Sequence, residues 1–280
     1  MLQRKFRIGY NRAARIMDEL EEKQVPKKEQ YSFSKLSTWW QCKYSYFQKY
    51  IEHKSGIGNA FSSYGSLVHS ILERYAKKEI ELWDMPSVYE WEFDSAVPER
   101  FPWNKYKVLR DSYYEEGLNF LKNFGGYEKC KILGIEQEFE IGIDDWNLVG
   151  FIDLVFEDEE GKLIVRDYKS KASFKNEEEK REYARQPYLY SLYVKEKYGR
   201  YPDEIQFLMF RKDNVEKIKF NEDDLGEAIE WAKRTVADIR ACIDYPPVKA
   251  VCNDFYAQNL CNHREYCEFS AFKKDEVTMS

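Results

Sequence analysis

The apolar positions in the first half of the chain follow a helical period. An aromatic-rich helix is predicted over residues 34–50, with Ser34 or Ser37 as its N-cap. A second helix is predicted to begin after Gly65, because apolar residues recur there three and four positions apart. Those residues are Leu67, Val68, Ile71, Leu72, Tyr75 and Ala76.

Residues 84–127 have a less regular pattern. Pro86, Pro98 and Pro102 interrupt it, and helical spacing returns only over residues 106–124. The segment is predicted to be helical, either as an insertion that arches over the functional face or as a packed helical layer, which we favour. Its aromatic residues are Trp91, Phe93, Phe101, Trp103 and Tyr106.

The middle of the chain alternates apolar and polar residues with the period of a β-strand. Strands are predicted over residues 139–143, 148–156 and 163–169. The connections, residues 144–147 and 157–161, are short turns, so we predict a meander of three antiparallel strands. The elements predicted after this meander are a helix over residues 178–198 that Pro187 could bend, strands over 205–211 and 215–220, and a helix to about residue 243 capped by Asn221.

These elements predict a mixed α/β (α+β) domain, with a central mixed sheet flanked by helices. A length of 280 residues with 43% hydrophobic residues is enough for one substantial core. The predicted organisation is a charged N-terminal helix or arm over residues 1–30, a single domain over 31–270 and a flexible tail over 271–280. Within the domain, residues 246–269 form a C-terminal segment with three cysteines.

The charge of the chain is unevenly distributed. The formal net charge of −6 does not by itself indicate nucleic-acid binding. Residues 136–160 contain ten acidic residues and no Lys or Arg, whereas residues 161–200 contain eleven basic and six acidic residues. An acidic metal pocket beside a basic flank would suit a phosphate-cleaving enzyme, and an uneven solvated surface is the alternative.

The chain contains no apolar run as long as the roughly 18 residues of a membrane span. Its N-terminus, residues 1–7, lacks the apolar core of a signal peptide. We therefore expect a cytoplasmic protein without membrane association. Clustered cysteines in that compartment bind metal more often than they form disulfides.

The meander contains two carboxylates and a lysine that are candidate catalytic residues. Asp153 lies within an apolar strand, and Asp167 and Lys169 end the next strand on one face. Carboxylates among apolar neighbours need a cation or proton to offset the loss of solvation. Such a group suits phosphodiester hydrolysis assisted by Mg²⁺ or Mn²⁺.

These residues resemble the motifs of the RecB-like branch of the PD-(D/E)xK nuclease superfamily, with its restriction-endonuclease-like core. The likeness extends over residues 34–269 and is strongest to the iron–sulfur exonucleases of CRISPR-associated, helicase–nuclease and phage origin. It implies that His69, Asp153, Asp167 and the Tyr168 carbonyl bind the metal. Asp153 and Asp167 are also implied to be catalytic, together with Lys169 as the catalytic lysine.

Further residues match the same resemblance. Gln186 and Tyr190 correspond to the family's Q-x-x-x-Y helix and share one helix face, from which they can approach DNA or Lys169. Glu136 and Glu138 are weaker candidates, since either could support the site or simply face solvent.

The resemblance also implies a 4Fe–4S cluster held by Cys42, Cys252, Cys261 and Cys267. The C-terminal cysteines follow a C-x₈-C-x₅-C spacing, whereas the family has C-x₂-C-x₅-C. The longer loop can still close, because loop-closure entropy rises slowly with length. Zinc bound by three cysteines and His263, or free thiols, are the alternatives. The remaining two cysteines, Cys130 and Cys242, are predicted to be core residues.

The resemblance implies a divalent-metal-dependent DNA exonuclease that prefers single strands and carries a structural cluster. A phage or mobile-element role in recombination, in the host cytoplasm, is the expected setting. The alternatives are a catalytically silent or partner-dependent DNA-binding module of a recombination or CRISPR-adaptation complex, and a structural protein. Protein partners are left open.

Overall fold

The computed structural model describes residues 28–249 and 251–272, so nearly all of the predicted N-terminal arm and most of the predicted tail lie outside it. The described chain begins with a short strand and two short helices. Ser32 caps the first helix by accepting a hydrogen bond from the Lys35 N–H, in place of the predicted Ser34 or Ser37. These first elements are β1 (Gln30–Ser32), α1 (Phe33–Gln41), α2 (Lys43–Tyr46) and a π-helical turn (Phe47–Ile51).

The predicted helix over residues 34–50 is interrupted at Cys42. The backbone of Cys42 is extended, with φ −168° and ψ 114°, so α1 ends there and α2 begins at the next residue. Periodicity did not reveal this break, because the aromatic residues on both sides continue the apolar pattern. The interruption leaves Cys42 at the junction of two helices rather than inside one.

Three longer helices follow, and the first begins earlier than its apolar stripe predicted. Asn59 caps this helix through its side chain, which accepts a hydrogen bond from the Ser62 N–H. Gly65 therefore lies inside the second turn, where its missing side chain leaves room for Ser170. The helices are α3 (Ala60–Ala76), α4 (Met85–Ala96), preceded by a 3₁₀ turn (Leu82–Asp84), and α5 (Leu109–Asn123).

The sheet contains the predicted meander at its centre. Consecutive strands β2, β3 and β4 pair antiparallel, whereas β1 with β3 and β4 with β5 pair parallel, so the sheet is mixed. The strand order is β1-β3-β4-β5-β6, with β2 along the other edge of β3. The strands after β1 are β2 (Lys131–Ile143), β3 (Trp146–Glu157), β4 (Leu163–Lys169), β5 (Glu204–Met209) and β6 (Asn214–Lys219).

An opening in this sheet positions the polar residues. On one edge of β3, β1 pairs with residues 147–149 and β4 pairs with residues 154–157. Among the described strands, none pairs with residues 150–153 on that edge, although β2 covers the opposite edge. A gap between β1 and β4 therefore lies beside Asp153.

Helices cover both faces of the sheet. One core joins α1 and the sheet to two helices, α6 (Glu177–Tyr198) and α7 (Glu222–Ala241), and the other joins the opposite sheet face to α3, α4 and α5. Asn176 and Asn221 cap α6 and α7, the latter as predicted. A last short helix, α8 (Phe255–Asn259), lies in the cysteine segment. These layers confirm the predicted α/β class.

Candidate active site

Asp153 and Asp167 meet where β3 and β4 separate. The Tyr168 N–H donates a hydrogen bond to Oδ2 of Asp153 over 2.7 Å, which links the two strands just beyond their last backbone pair. Asp167 is only 6% exposed, and its Oδ2 lies 2.5 Å from Nζ of Lys169. The alternation of β4 thus places Asp167 and Lys169 on one face, as predicted, and that face is the one covered by α6.

His69 reaches the same place from α3, on the other side of the sheet. Its Nε2 lies 2.9 Å from the Tyr168 carbonyl oxygen, and its Nδ1 lies 3.8 Å from Oδ2 of Asp153. Three of the predicted ligand groups, from His69, Asp153 and the Tyr168 carbonyl, therefore adjoin one another. These groups are far apart in the sequence, and the fold brings them together.

Glu136 joins this group, although sequence reasoning ranked it no higher than Glu138. One ligand atom each from His69, Glu136 and Asp153 lie within 4.8 Å of one another. Glu136 has φ of 41°, a left-handed conformation that non-glycine residues rarely adopt and that is often found at functional sites. The residues on either side of it, Ile135 and Gln137, pair with Leu154 and Ile152, so Glu136 lies opposite Asp153 across the two strands.

Burial and mutual repulsion alter the acidity of these carboxyls. Burial raises the pKa of Asp153 to about 7, and the negative charge of Asp167 adds to the shift. Burial likewise raises the pKa of Glu136. Oδ2 of Asp167 is buried and, apart from its ion contact, has no hydrogen-bond partner among the described residues. Such carboxyls hold either protons or a cation, and their oxygen atoms suit a divalent ion such as Mg²⁺ or Mn²⁺.

A chain of hydrogen bonds supports the lysine from α6. Nζ of Lys169 donates to Oε1 of Gln186 over 3.2 Å, and Nε2 of Gln186 donates to the Tyr190 hydroxyl over 3.2 Å. Burial disfavours the charged form of Lys169, but the charges of Asp167 and Asp153 outweigh it, so its pKa is raised. Lys169 is therefore a protonated, oriented cation, which matches the predicted grouping of these residues.

The four predicted cluster cysteines line one small cavity between the α1–α2 junction and the C-terminal segment. They are Cys42, Cys252, Cys261 and Cys267. None of the six cysteines of the chain is in a disulfide. Burial raises the pKa of the three C-terminal thiols, and the charges of the other cysteines, Cys42 included, raise it further. Four thiols around one cavity are a donor set that an iron–sulfur cluster or a zinc ion can use once the thiols are deprotonated.

His263 lines the same cavity. Its side chain is buried, and its Nδ1 has no hydrogen-bond partner among the described residues. The segment around it is attached to the start of the domain by the Ile57 N–H, which donates to the Asn262 carbonyl, and by the Tyr256 hydroxyl, which donates to Gln41. Among the described residues, however, His263 and the cysteines do not form a close ligand group of the kind that His69, Glu136 and Asp153 form. Cys130 and Cys242 do not line this cavity.

A mixed sheet that opens beside two aspartates, a histidine and a lysine is typical of a metal-dependent nuclease. The chain belongs to the PD-(D/E)XK nuclease superfamily, whose family model matches residues 30–271. A second family model, for the FtsK gamma domain, matches residues 1–32.

Comparisons with individual proteins add little to the family assignment. No curated protein matches the chain. The solved structure titled "Crystal structure of SSO0001" is 13% identical, with 93% of this chain and 97% of that one covered, at a TM-score of 0.37. Among the described residues, no helix has the length and apolar composition that a membrane crossing requires.

Proposed function

We propose that the protein is a divalent-metal-dependent DNA exonuclease that acts preferentially on single strands. The observation that carries the proposal is the close group of His69, Glu136 and Asp153, beside the ion pair of Asp167 with the oriented cation of Lys169. A site that only gripped DNA would have no chemical need for this complete set. The buried carboxyls and the protonated lysine instead suit hydrolysis of a phosphodiester.

We assign metal binding to His69, Asp153, Asp167 and the Tyr168 carbonyl, with Glu136 beside them. When bound, Mg²⁺ or Mn²⁺ supplies Lewis-acid activation of the phosphate and of the attacking water. Asp153 and Asp167 also set the negative field that keeps Lys169 protonated.

Lys169 acts as a charged donor in this proposal, because its raised pKa makes it a poor base at neutral pH. It orients the attacking water and stabilises the charge that develops on the phosphate oxygens. Gln186 holds the lysine amine through Oε1, and Tyr190 fixes the amide of Gln186. These two are positioning residues whose effect passes through Lys169.

We further propose that the four cysteines hold a structural 4Fe–4S cluster. Support comes from their arrangement around one cavity and from the contacts that attach the C-terminal segment to the α1–α2 junction. The cluster would fasten the two ends of the domain without taking part in the reaction. We place this activity in the cytoplasm, in DNA processing or recombination of phage or mobile-element origin.

Gly150→Ala tests the positioning chain without changing any catalytic group. A methyl group at residue 150 would lie 3.0 Å from the Tyr190 hydroxyl and 3.1 Å from Phe139, so the tyrosine must shift. We expect cleavage to slow by up to about tenfold, since a misplacement of roughly 1 Å costs about a hundredfold and the shift required here is smaller. The measurement is the single-turnover cleavage rate, with melting temperature as the check on folding.

Gly142→Ala is the matched control for this substitution. It lies in β2, where an added methyl group would have its nearest neighbours, Asn147 and Lys28, at 3.8 Å. We expect it to cleave at the native rate. Equal rates for both variants would show that Tyr190 does not position the lysine.

A further inference from the structure

The loop between α4 and α5, residues 97–108, presents aromatic side chains to solvent. Trp103 is 86% exposed and Tyr106 is 82% exposed. Lys105 lies between them in the sequence, and its Nζ is 4.7 Å from the centre of the Tyr106 ring. Large exposed aromatic groups next to cations are typical of interaction surfaces rather than of packing. We call residues 97–108 the aromatic–basic loop.

The aromatic–basic loop is anchored to the domain at its base. The Phe101 ring packs against the rings of Phe61 and Tyr113, with centroid distances of 5.2 and 5.0 Å. The Asn104 side chain accepts a hydrogen bond from the Tyr106 N–H over 2.9 Å. Because the base is packed and the turn is closed, the backbone that carries the exposed rings is fixed before any partner binds. Such preorganisation lowers the entropy lost on binding.

The loop borders a cleft that continues the active site. This cleft, of about 510 Å³, is lined by Asn104 on one side and by residues 170–173 on the other. The cavity that contains His69 and Lys169, of about 380 Å³, is also lined by Ser170. The two cavities therefore adjoin at the residue that directly follows the catalytic lysine.

The charge of the cleft suits a phosphate backbone. Lys171, Lys175 and Arg211 line it. The Lys175 side chain is 84% exposed and lies 4.0 Å from Glu179, whereas Lys171 is paired with that glutamate at 2.7 Å. Lys175 is thus the most accessible cation of the three. The exposed ring of Phe255 adds an apolar surface to the same cleft.

We infer that one strand of DNA runs from the catalytic residues through this cleft and that Trp103 and Tyr106 stack on its bases. The choice of DNA rests on the proposed function. The choice of a single strand rests on the exposed rings, because unpaired bases offer their faces to aromatic side chains, whereas paired bases in a duplex stack on each other. Lys175 meets the phosphates, and the rings hold the strand beyond the active site.

The test is the double variant Trp103→Ala/Tyr106→Ala, with Trp83→Ala/Trp91→Ala as its control. Trp83 and Trp91 are 75% and 87% exposed but belong to the 3₁₀ turn and α4 rather than to the loop. Binding of a fluorescein-labelled oligothymidine and of a blunt duplex is measured by anisotropy in EDTA, so that cleavage does not interfere. Melting temperatures confirm that each variant is folded.

We expect the loop variant to bind the single strand about tenfold or more weakly, because each base stack contributes substantially to affinity. The control variant and duplex binding should change by less than about twofold, since neither depends on these stacks. Trp103→Phe/Tyr106→Phe, which keeps the rings, should retain most of the affinity. Unchanged single-strand affinity, an equal loss in the control or an equal loss on duplex would each overturn the inference.

Binding and cleavage separate this inference from the nuclease proposal. Ring-dependent binding by a native protein that never cleaves DNA supports the strand path and contradicts the proposed activity. Cleavage by the native protein with unchanged binding in the loop variant supports the activity and contradicts the path.

Discussion

Lys169→Ala is expected to reduce DNA cleavage by at least about 10³-fold, to near the limit of detection. The substitution removes the one cation that contacts Asp167 among the described residues, at 2.5 Å, and the donor that Gln186 holds in place. The single-turnover cleavage rate of a labelled single strand, in saturating Mn²⁺, measures the effect.

Lys162→Ala is the control for this prediction. Lys162 lies just before the same strand, at its opposite end, where its amine is paired with Glu160 in solvent. It should cleave at the native rate, and Asp167→Asn should be as impaired as the lysine variant. All variants should keep the native circular dichroism spectrum. Substantial cleavage in both Lys169→Ala and Asp167→Asn would refute the assignment of the site.

Cys261→Ser is expected to abolish the iron–sulfur cluster and to loosen the C-terminal segment. The native protein, purified without oxygen, should contain about four iron atoms per chain, and the variant almost none. Cys261 interacts electrostatically with the other three cysteines of the cavity, so its loss leaves an incomplete ligand set. Iron and sulfide analysis measures the cluster, and limited proteolysis measures the release of the segment.

Cys130→Ser and Cys242→Ser should keep the native iron content, because neither residue lines the cavity. His263→Asn distinguishes the zinc alternative. A zinc site of three cysteines and His263 would lose its metal in this variant, whereas the cluster would persist. Stoichiometric zinc in the native protein, or full iron content in Cys261→Ser, would contradict the proposed ligand set.

Part of the proposed catalytic group could be predicted from local rules, whereas the approach of His69 was expected only from the family resemblance. Short turns make β2, β3 and β4 neighbours, and strand alternation puts Asp167 and Lys169 on one face. Helical spacing likewise puts Gln186 and Tyr190 on the same side of α6. The hydrogen bonds from Lys169 to Gln186 and on to Tyr190 are consistent with both rules.

Other parts of the site depend on interactions that local patterns do not encode. The three residues of β1 pair with β3 across more than 100 positions, and this pairing creates the opening beside Asp153. Glu136, opposite Asp153, has a left-handed backbone conformation, which strand alternation cannot anticipate. The break at Cys42 lies at the cysteine cavity, in a stretch that contains no Gly or Pro to reveal it in the sequence.

The composition of residues 84–127 also does not show which of its aromatic residues are buried and which are exposed. The favoured packed layer exists, since Phe93 is fully buried and Phe101 packs against neighbouring rings. Trp103 and Tyr106, in the same stretch, are almost fully exposed. Aromatic content alone does not distinguish a core from a binding surface, because both use the same side chains.

The most direct test of the account is a time course of end-labelled single-stranded DNA with anaerobically purified native protein, in Mn²⁺ and in EDTA. The account predicts progressive shortening from one end in Mn²⁺ and intact DNA in EDTA. Cleavage that persists in EDTA would contradict the metal-dependent mechanism. Intact DNA in Mn²⁺, with the cluster present and the strand bound, would contradict the nuclease and indicate a DNA-binding module.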